Sequence, residues 1–220
     1  MEKRRLLMRL DLKENVVFPF SDPEWALKLL KTSIAYILLL PMPAVFGYQI
    51  AVIREAANGE EEALPEFSME NLGSLWVQGF KYMVVLSILG MVPMFGVGAL
   101  TYGAYAGFAD NGDPLGYILG GCFLLFVAMM LLAVLLPALL LRFAMTDSVG
   151  SLFDVGSAIG DIKHGPGDYA LIFIFPMLAS IATSIVSFTG IGAILVLPLT
   201  VLTLVIQGRM LGNYYRAYFQ

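Results

Sequence analysis

Four long apolar blocks dominate this sequence and restrict what it can fold into. They run over 25–53, 79–109, 115–141 and 169–211, and each is long enough for the ~20 residues that a helix needs to cross a bilayer. Only 14% of the residues are charged, against about 25% in soluble domains. The blocks are continuous rather than alternating, which is unlike the strands of a membrane barrel. The pattern predicts an all-α integral membrane protein.

The number of spans follows from turn signals and from the placement of basic residues. Thr189-Gly190-Ile191-Gly192 lies near the middle of the fourth block and predicts two spans joined by a tight turn. Pro41 and Pro43 interrupt the first block, which either crosses once with a kink or enters and returns. In the re-entrant arrangement all 13 Lys and Arg lie on one side, as the positive-inside rule favours. We therefore expect a four-span helical bundle with a re-entrant proline hairpin and both termini in the cytoplasm.

The predicted organisation is a single membrane domain over 1–220 with cytoplasmic amphipathic segments. In chain order we expect an interfacial amino-terminal segment over 1–24, the re-entrant block over 25–53, an acidic cytoplasmic linker over 54–78, two spans over 79–141, a cytoplasmic amphipathic segment over 142–168, and two spans with a carboxyl-terminal anchor over 169–220. Within the amphipathic segment, Asp147 or Ser148 is the expected helix cap and His164-Gly165-Pro166-Gly167 the expected end.

Small and hydroxylated side chains form two candidate faces on the spans. Ser180, Thr183, Ser184 and Ser187 follow the i, i+3, i+4, i+7 spacing of one helical face. They either line a polar path or, as is commoner, allow close helix packing. Gly103 and Gly107 extend a second ridge of small residues from Ala99, which also predicts packing within the bundle or against a partner.

Asp147, Asp154, Asp161 and Asp168 recur every seven residues, and His164 follows Asp161 by three. On one helix this spacing places them near a single stripe. The interpretations are a cation site formed by Asp154, Asp161 and His164, or, as we favour, the wet face of an interfacial helix. His164 is the single histidine and lies in a predicted loop, so we expect no cofactor, although a pigment held without histidine stays open.

The order of several short segments resembles an uncharacterised prokaryotic membrane-protein family known only as domain-of-unknown-function family 4013. The segments are FPFSDPEW at 18–25, GYQIAVIR at 47–54, LPEF at 64–67, GFK at 79–81 and GRMLGNYYR at 208–216. Phe67 stands where the family usually has tryptophan. The resemblance implies several spans in a prokaryotic cytoplasmic (inner) membrane, and it brings no catalytic residues.

The spans carry no charge at depth, and the sequence contains no recognisable catalytic constellation. We therefore expect a non-enzymatic protein whose partners are the lipid bilayer and other proteins in a membrane complex or homo-oligomer. Nucleic acid is not an expected partner, because the net charge is −4. The first functional hypothesis is an accessory or organising subunit. The alternatives are a transporter or permease-like protein for a lipid or neutral solute, and a membrane-shaping hairpin protein.

Overall fold

The computed structural model describes residues 12–37, 42–59, 64–65, 68, 70–108, 114–189 and 192–220, which form eight α-helices and no strand. Two short 3-10 turns, Phe18–Ser21 and Val149–Phe153, connect helices. The helices are α1 (Leu12–Val17), α2 (Trp25–Ile37), α3 (Met42–Asn58), α4 (Leu72–Phe108), α5 (Pro114–Thr146), α6 (Val155–His164), α7 (Pro166–Ser187) and α8 (Gly192–Phe219).

Four of these helices, α4, α5, α7 and α8, are long and apolar enough to cross a membrane. This confirms the predicted all-α membrane class and the four spans. The fourth block is two helices, because α7 ends at Ser187 and α8 begins at Gly192. The helices extend beyond the predicted spans: α4 begins at Leu72 and α5 continues to Thr146.

The first block forms the two helices α2 and α3, and Pro41 lies outside the described residues between them. Pro43 is buried in the first turn of α3, where a proline lacks no helical hydrogen bond. With 13 and 17 residues, α2 and α3 are about 20 and 26 Å long, short of the ~30 Å hydrocarbon core. Their re-entry into the bilayer stays a prediction.

Helix α3 is the central helix of the fold and packs mainly between α4 and α8. Glycines bring these backbones into direct contact. A Cβ on Gly79 of α4 would lie 1.7 Å from the Pro43 carbonyl oxygen, and one on Gly212 of α8 would lie 2.5 Å from the Ile53 carbonyl oxygen. No side chain fits at either point, so these two glycines allow the backbones of α4 and α8 to contact the backbone of α3 directly.

The remaining spans form two hairpins, α4–α5 and α7–α8, which contact each other little. Helix α4 is buried only in its first half, where Leu75 and Tyr82 pack against the core. Beyond it, apolar side chains are open, as at Phe95, which is 74% exposed. Helix α7 has 22 residues and is about 33 Å long, which matches the hydrocarbon core. We use the term fork for the point at which the two hairpins separate. We use the term base for the packed region around α3 and α6.

Candidate functional site

A cavity of about 300 Å³ lies at the fork, where α3, α4, α5, α7 and α8 meet. Most of its wall is apolar, and four side chains give it polarity. Among the residues that the structure describes, no Lys, Arg, Asp or Glu contributes to the wall. The lining residues are Phe46, Gln49, Tyr82, Ala133, Leu136, Pro137, Leu140, Phe173, Pro176, Met177, Ser180, Leu204 and Gln207. We call this space the fork cavity.

Two amides from distant parts of the sequence pair beside this cavity. The Gln49 Nε2 atom donates to Gln207 Oε1 over 3.2 Å, and Gln49 is only 2% exposed. The close approach of α8 to α3 makes this pair possible, because a Cβ on Gly208 would lie 3.2 Å from the Gln49 carbonyl oxygen. The pair leaves the Gln49 Oε1 acceptor and the Gln207 Nε2 donor without a hydrogen bond to the described residues.

Tyr82 and Ser180 are the other polar groups of the fork cavity. Tyr82 is 6% exposed, its ring lies 5.9 Å from that of Phe46, and its hydroxyl has no hydrogen-bond partner in the described chain. The Ser180 hydroxyl donates to the Pro176 carbonyl oxygen over 2.7 Å, which leaves its oxygen able to accept. Burying a polar group without a partner is unfavourable, so these groups are suited to a polar ligand.

The Tyr169 hydroxyl bridges two backbone groups of α5 next to the fork cavity. It accepts a hydrogen bond from the Ala138 N–H over 3.1 Å and donates one to the Val134 carbonyl oxygen. These two backbone groups pair with each other in a regular α-helix. Pro137, which lies between them, already removes one donor from α5. Tyr169 therefore attaches the start of α7 to the turn of α5 that contains Pro137.

In the base, ion pairs hold α6 against the lower end of α5. Arg142 donates to Asp161 over 2.9 Å and to Asp154 over 3.2 Å. Asp154 also caps α6 by accepting from the Ser157 N–H at 3.0 Å. Hydrogen bonds from the Ser157 backbone and hydroxyl, with a smaller contribution from Arg142, lower the pKa of Asp154. This half-exposed cluster is structural in its geometry: its carboxylates already have cationic or N–H partners.

A second cluster ties the amino-terminal segment to the chain before α4. Asp22 accepts hydrogen bonds from the Glu24 N–H, the Lys28 Nζ and the Leu64 N–H at 2.7, 2.7 and 3.0 Å. Burial raises the pKa of Asp22, but these hydrogen bonds and the Lys28 charge outweigh it, so the net pKa lies below the ordinary 3.8. The Tyr48 hydroxyl adds a bond to the Pro65 carbonyl oxygen at 3.0 Å. We call these contacts the Asp22 clasp.

The predicted hydroxyl stripe reaches the fork cavity through one member. Ser180 lines the cavity, whereas Ser184 and Ser187 donate to carbonyl oxygens of their own helix at 2.8 and 2.6 Å. Thr183 is half-buried and is not part of the cavity wall. On the other ridge, a Cβ on Gly103 would meet nothing within 4 Å. Gly107 is helical, near the tip of the first hairpin.

The aspartate repeat does not form the stripe that its spacing indicates, because the chain is not one continuous helix there. Asp154 is the cap of α6, in place of the expected Asp147 or Ser148, since a 3-10 turn separates them. Asp154 and Asp161 meet on Arg142, whereas His164 lies at 3.0 Å from the Gly160 carbonyl oxygen and packs against Phe219. Among the described residues, no three His, Cys, Asp or Glu converge on a metal-sized site.

A larger groove of about 440 Å³ lies between the outer halves of α4 and α5. Its wall includes Val97, Thr101, Tyr102, Ile118 and Cys122, and it is almost entirely apolar. An open apolar surface on a spanning hairpin is what lipid chains contact in any membrane protein, so this groove offers little to distinguish one ligand from another. The fork cavity, whose wall includes the buried polar side chains Gln49 and Tyr82, is the stronger candidate site.

Sequence reasoning did not identify Gln49, Gln207 and Tyr82 as site residues. The available signal was that amides are scarce within the apolar blocks, and polar groups inside a membrane protein are functional candidates by default. The two glutamines are 158 positions apart. Their pairing depends on the packing of α3 against α8, which no local pattern reveals.

The segments that carry the family resemblance meet one another in the fold. The Asp22 clasp joins the 18–25 segment to the 64–67 segment through Leu64. Gly79, the first residue of the 79–81 segment in α4, lies against the start of α3, and Gly212 of the last segment lies against Ile53. These short motifs therefore specify how α3 is enclosed.

Comparison with known proteins gives one finding. The chain matches a family described as "Protein of unknown function (DUF4013)" over residues 32–196, about three quarters of its 220 residues. The match begins after the 18–25 segment and ends before the 208–216 segment. No curated protein and no solved structure matches. The chain, a membrane-type helical protein, therefore belongs to the DUF4013 family, whose function is unknown.

Proposed function

We propose that this protein is a non-enzymatic, permease-like membrane protein that admits an uncharged lipid or solute into the fork cavity. The observation that carries the proposal is the fork cavity itself: a space of about 300 Å³ at the divergence of two spanning hairpins, whose described lining residues include polar groups and no charged side chain. A scaffold protein needs no such space. Polar backbone and side-chain groups inside a membrane are tolerated where they face a cavity.

The placement of the cavity supports the entry of a ligand from the bilayer, between the two hairpins. Helices α5 and α7 contact each other over few residues, and each carries a proline in the cavity wall, Pro137 and Pro176. Proline weakens the helical hydrogen-bond pattern and permits bending. Bending at these points changes the separation of the two hairpins, so a ligand can pass from the bilayer into the fork without crossing the base.

Transbilayer movement of a fluorescent uncharged lipid in proteoliposomes tests this proposal. Wild-type protein should accelerate the movement, and Ser180→Trp should abolish the acceleration by filling the cavity. Ser184→Trp is the matched control, because it makes the same change one turn further along α7, outside the cavity wall. Equal activity of the two variants, or no activity of the wild type, would refute the proposal.

An accessory or organising subunit is the second candidate, and the open small-residue surface of the first hairpin favours it. Gly96, Gly103 and Gly120 all have open space where a Cβ would lie, and small residues permit close helix contact in membranes. Mild-detergent extraction from the native membrane, followed by mass measurement and component identification, tests this role. A defined larger assembly that dissociates in a Gly103→Leu variant supports it, and an unassociated 24.0 kDa chain contradicts it.

The membrane-shaping alternative receives less support. It needs a hairpin that lies free in one leaflet, whereas α3 is enclosed by α4 and α8. We place the protein in the prokaryotic cytoplasmic membrane with both termini in the cytoplasm, because this puts the base, with its basic residues, on the cytoplasmic side.

A further inference from the structure

We propose that the fork cavity selects a glyceride-type lipid, one with an uncharged head group that carries both a hydroxyl and ester carbonyls, such as a diacylglycerol. This inference rests on the proposed function and names its substrate class. Three properties of the described site favour such a lipid: its unpaired hydrogen-bonding groups, its uncharged lining, and the direction in which its apolar wall continues.

The polar groups of the cavity that remain available for a ligand include both hydrogen-bond donors and acceptors. The Gln49–Gln207 pair leaves one amide oxygen as an acceptor and one amide nitrogen as a donor. Exchanging the oxygen and nitrogen of both amides leaves the same inventory, one donor and one acceptor. Tyr82 adds a hydroxyl that can donate to an ester carbonyl, and Ser180 adds an oxygen that can accept from a hydroxyl. A head group with only acceptors or only donors would leave part of this set unsatisfied.

The lack of charged side chains in the described wall of the cavity disfavours ionic head groups. Of the described residues, none that lines the cavity is ionisable at neutral pH, and Arg142 in the base is already paired with Asp154 and Asp161. A phosphate placed beside Gln49 would lose its hydration without gaining a counter-charge, which is strongly unfavourable. An uncharged head group avoids this penalty.

The apolar wall accounts for the acyl chains. Leu136, Phe173 and Met177 line the cavity, and α5 and α7 diverge from there toward the hairpin tips with exposed apolar side chains, as at Leu131 and Ile181. A lipid with its head group beside the Gln49–Gln207 pair therefore has its chains directed into the bilayer between the hairpins.

Lipid retention by the full chain in detergent, measured by native mass spectrometry, tests this inference. The two probes are dioleoylglycerol and dioleoyl phosphatidic acid, which differ by the phosphate alone. We expect the wild type to bind dioleoylglycerol at least about tenfold more tightly. Tyr82→Phe should weaken that binding about fivefold, the equivalent of one hydrogen bond, and the Gln49→Leu/Gln207→Leu double variant should weaken it about tenfold or more. Tyr82→Phe removes a hydroxyl without a protein partner, so it leaves the fold intact.

Thr203→Val is the matched control, because Thr203 lies one turn from Gln207 on α8, bonds its own helix at Leu199 and is outside the cavity wall. It should bind like the wild type. Equal binding of phosphatidic acid, or unchanged diacylglycerol binding by both cavity variants, would overturn the head-group assignment. If Ser180→Trp leaves the binding of both lipids unchanged, the cavity is not the site and the proposed function fails with it. If Ser180→Trp abolishes binding while the head groups compete equally, only the head-group assignment fails.

Discussion

Gly79→Ala is the substitution for which this fold makes the sharpest stability prediction. The new Cβ would lie 1.7 Å from the Pro43 carbonyl oxygen and 2.6 Å from the Gly47 backbone nitrogen. Both are backbone atoms of α3, so no side chain can rotate away. Ordinary contact begins near 3.4 Å, and α3 and α4 must therefore separate by about 1.7 Å or distort.

The size of the stability change in Gly79→Ala follows from two opposing effects. Alanine in place of glycine favours a helix by about 1 kcal/mol. Overpacking a close contact is unfavourable by about 1–3 kcal/mol, and by more where the backbone must move. Because the clash here involves backbone atoms of the central helix, we expect a net destabilisation of about 2 kcal/mol, or a fall in Tm of about 6 °C for a chain of this size.

The assay is thermal unfolding of the purified protein in one detergent, with Gly90→Ala as the matched control. Gly90 lies on the same helix, and a Cβ there would meet nothing within 4 Å. This control should gain up to about 1 kcal/mol from helix propensity alone. If Gly79→Ala is as stable as Gly90→Ala, α3 and α4 are not in backbone contact and the enclosure of α3 is refuted.

Three further predictions test the fork, the clasp and the hairpins. Tyr169→Phe should lower the unfolding free energy by about 1–3 kcal/mol, because it removes a hydroxyl that two backbone groups of α5 contact; unchanged thermal stability would contradict this role. The lowered pKa of Asp22 means that its carboxylate stabilises the fold at neutral pH and that this stabilisation is lost as the pH falls below about 4. Asp22→Asn should therefore reduce the acid sensitivity of unfolding, and an unaltered pH profile would contradict the clasp. Cys122, the single cysteine, is exposed on α5 and should react in membranes with a lipid-soluble maleimide but not with a charged one; rapid reaction with the charged reagent would place the hairpin in water.

Local sequence patterns predict much of the fold. Continuous apolar runs predict the four spanning helices, and Thr189–Gly192 and His164–Gly167 predict two of their boundaries, because glycine and proline interrupt helices wherever they occur in such clusters. The enclosure of α3 is not local. It depends on glycines in α4 and α8 that remove side chains at the points of contact, and nothing near Pro43 in the sequence identifies Gly79 as its neighbour.

The candidate site was less predictable than the fold. The spacing of the hydroxyl stripe predicts a shared face of α7, but which members of that face border a cavity depends on where α5 lies. The aspartate spacing indicates a single stripe only on an uninterrupted helix, and the 3-10 turn at Val149–Phe153 breaks the register before Asp154. The Gln49–Gln207 pair needed the packed α3 and α8 to become visible.

The most direct test of the central claim, that a membrane lipid occupies the fork cavity, is photo-crosslinking. A dioleoylglycerol analogue with a diazirine near its ester groups would be irradiated with the reconstituted protein, and the labelled peptides mapped by mass spectrometry. We expect labels concentrated at Leu136, Phe173 and Met177, and their loss in Ser180→Trp but not in Ser184→Trp. Labels spread evenly over the outer faces of α4 and α5, and unaltered by Ser180→Trp, would contradict it.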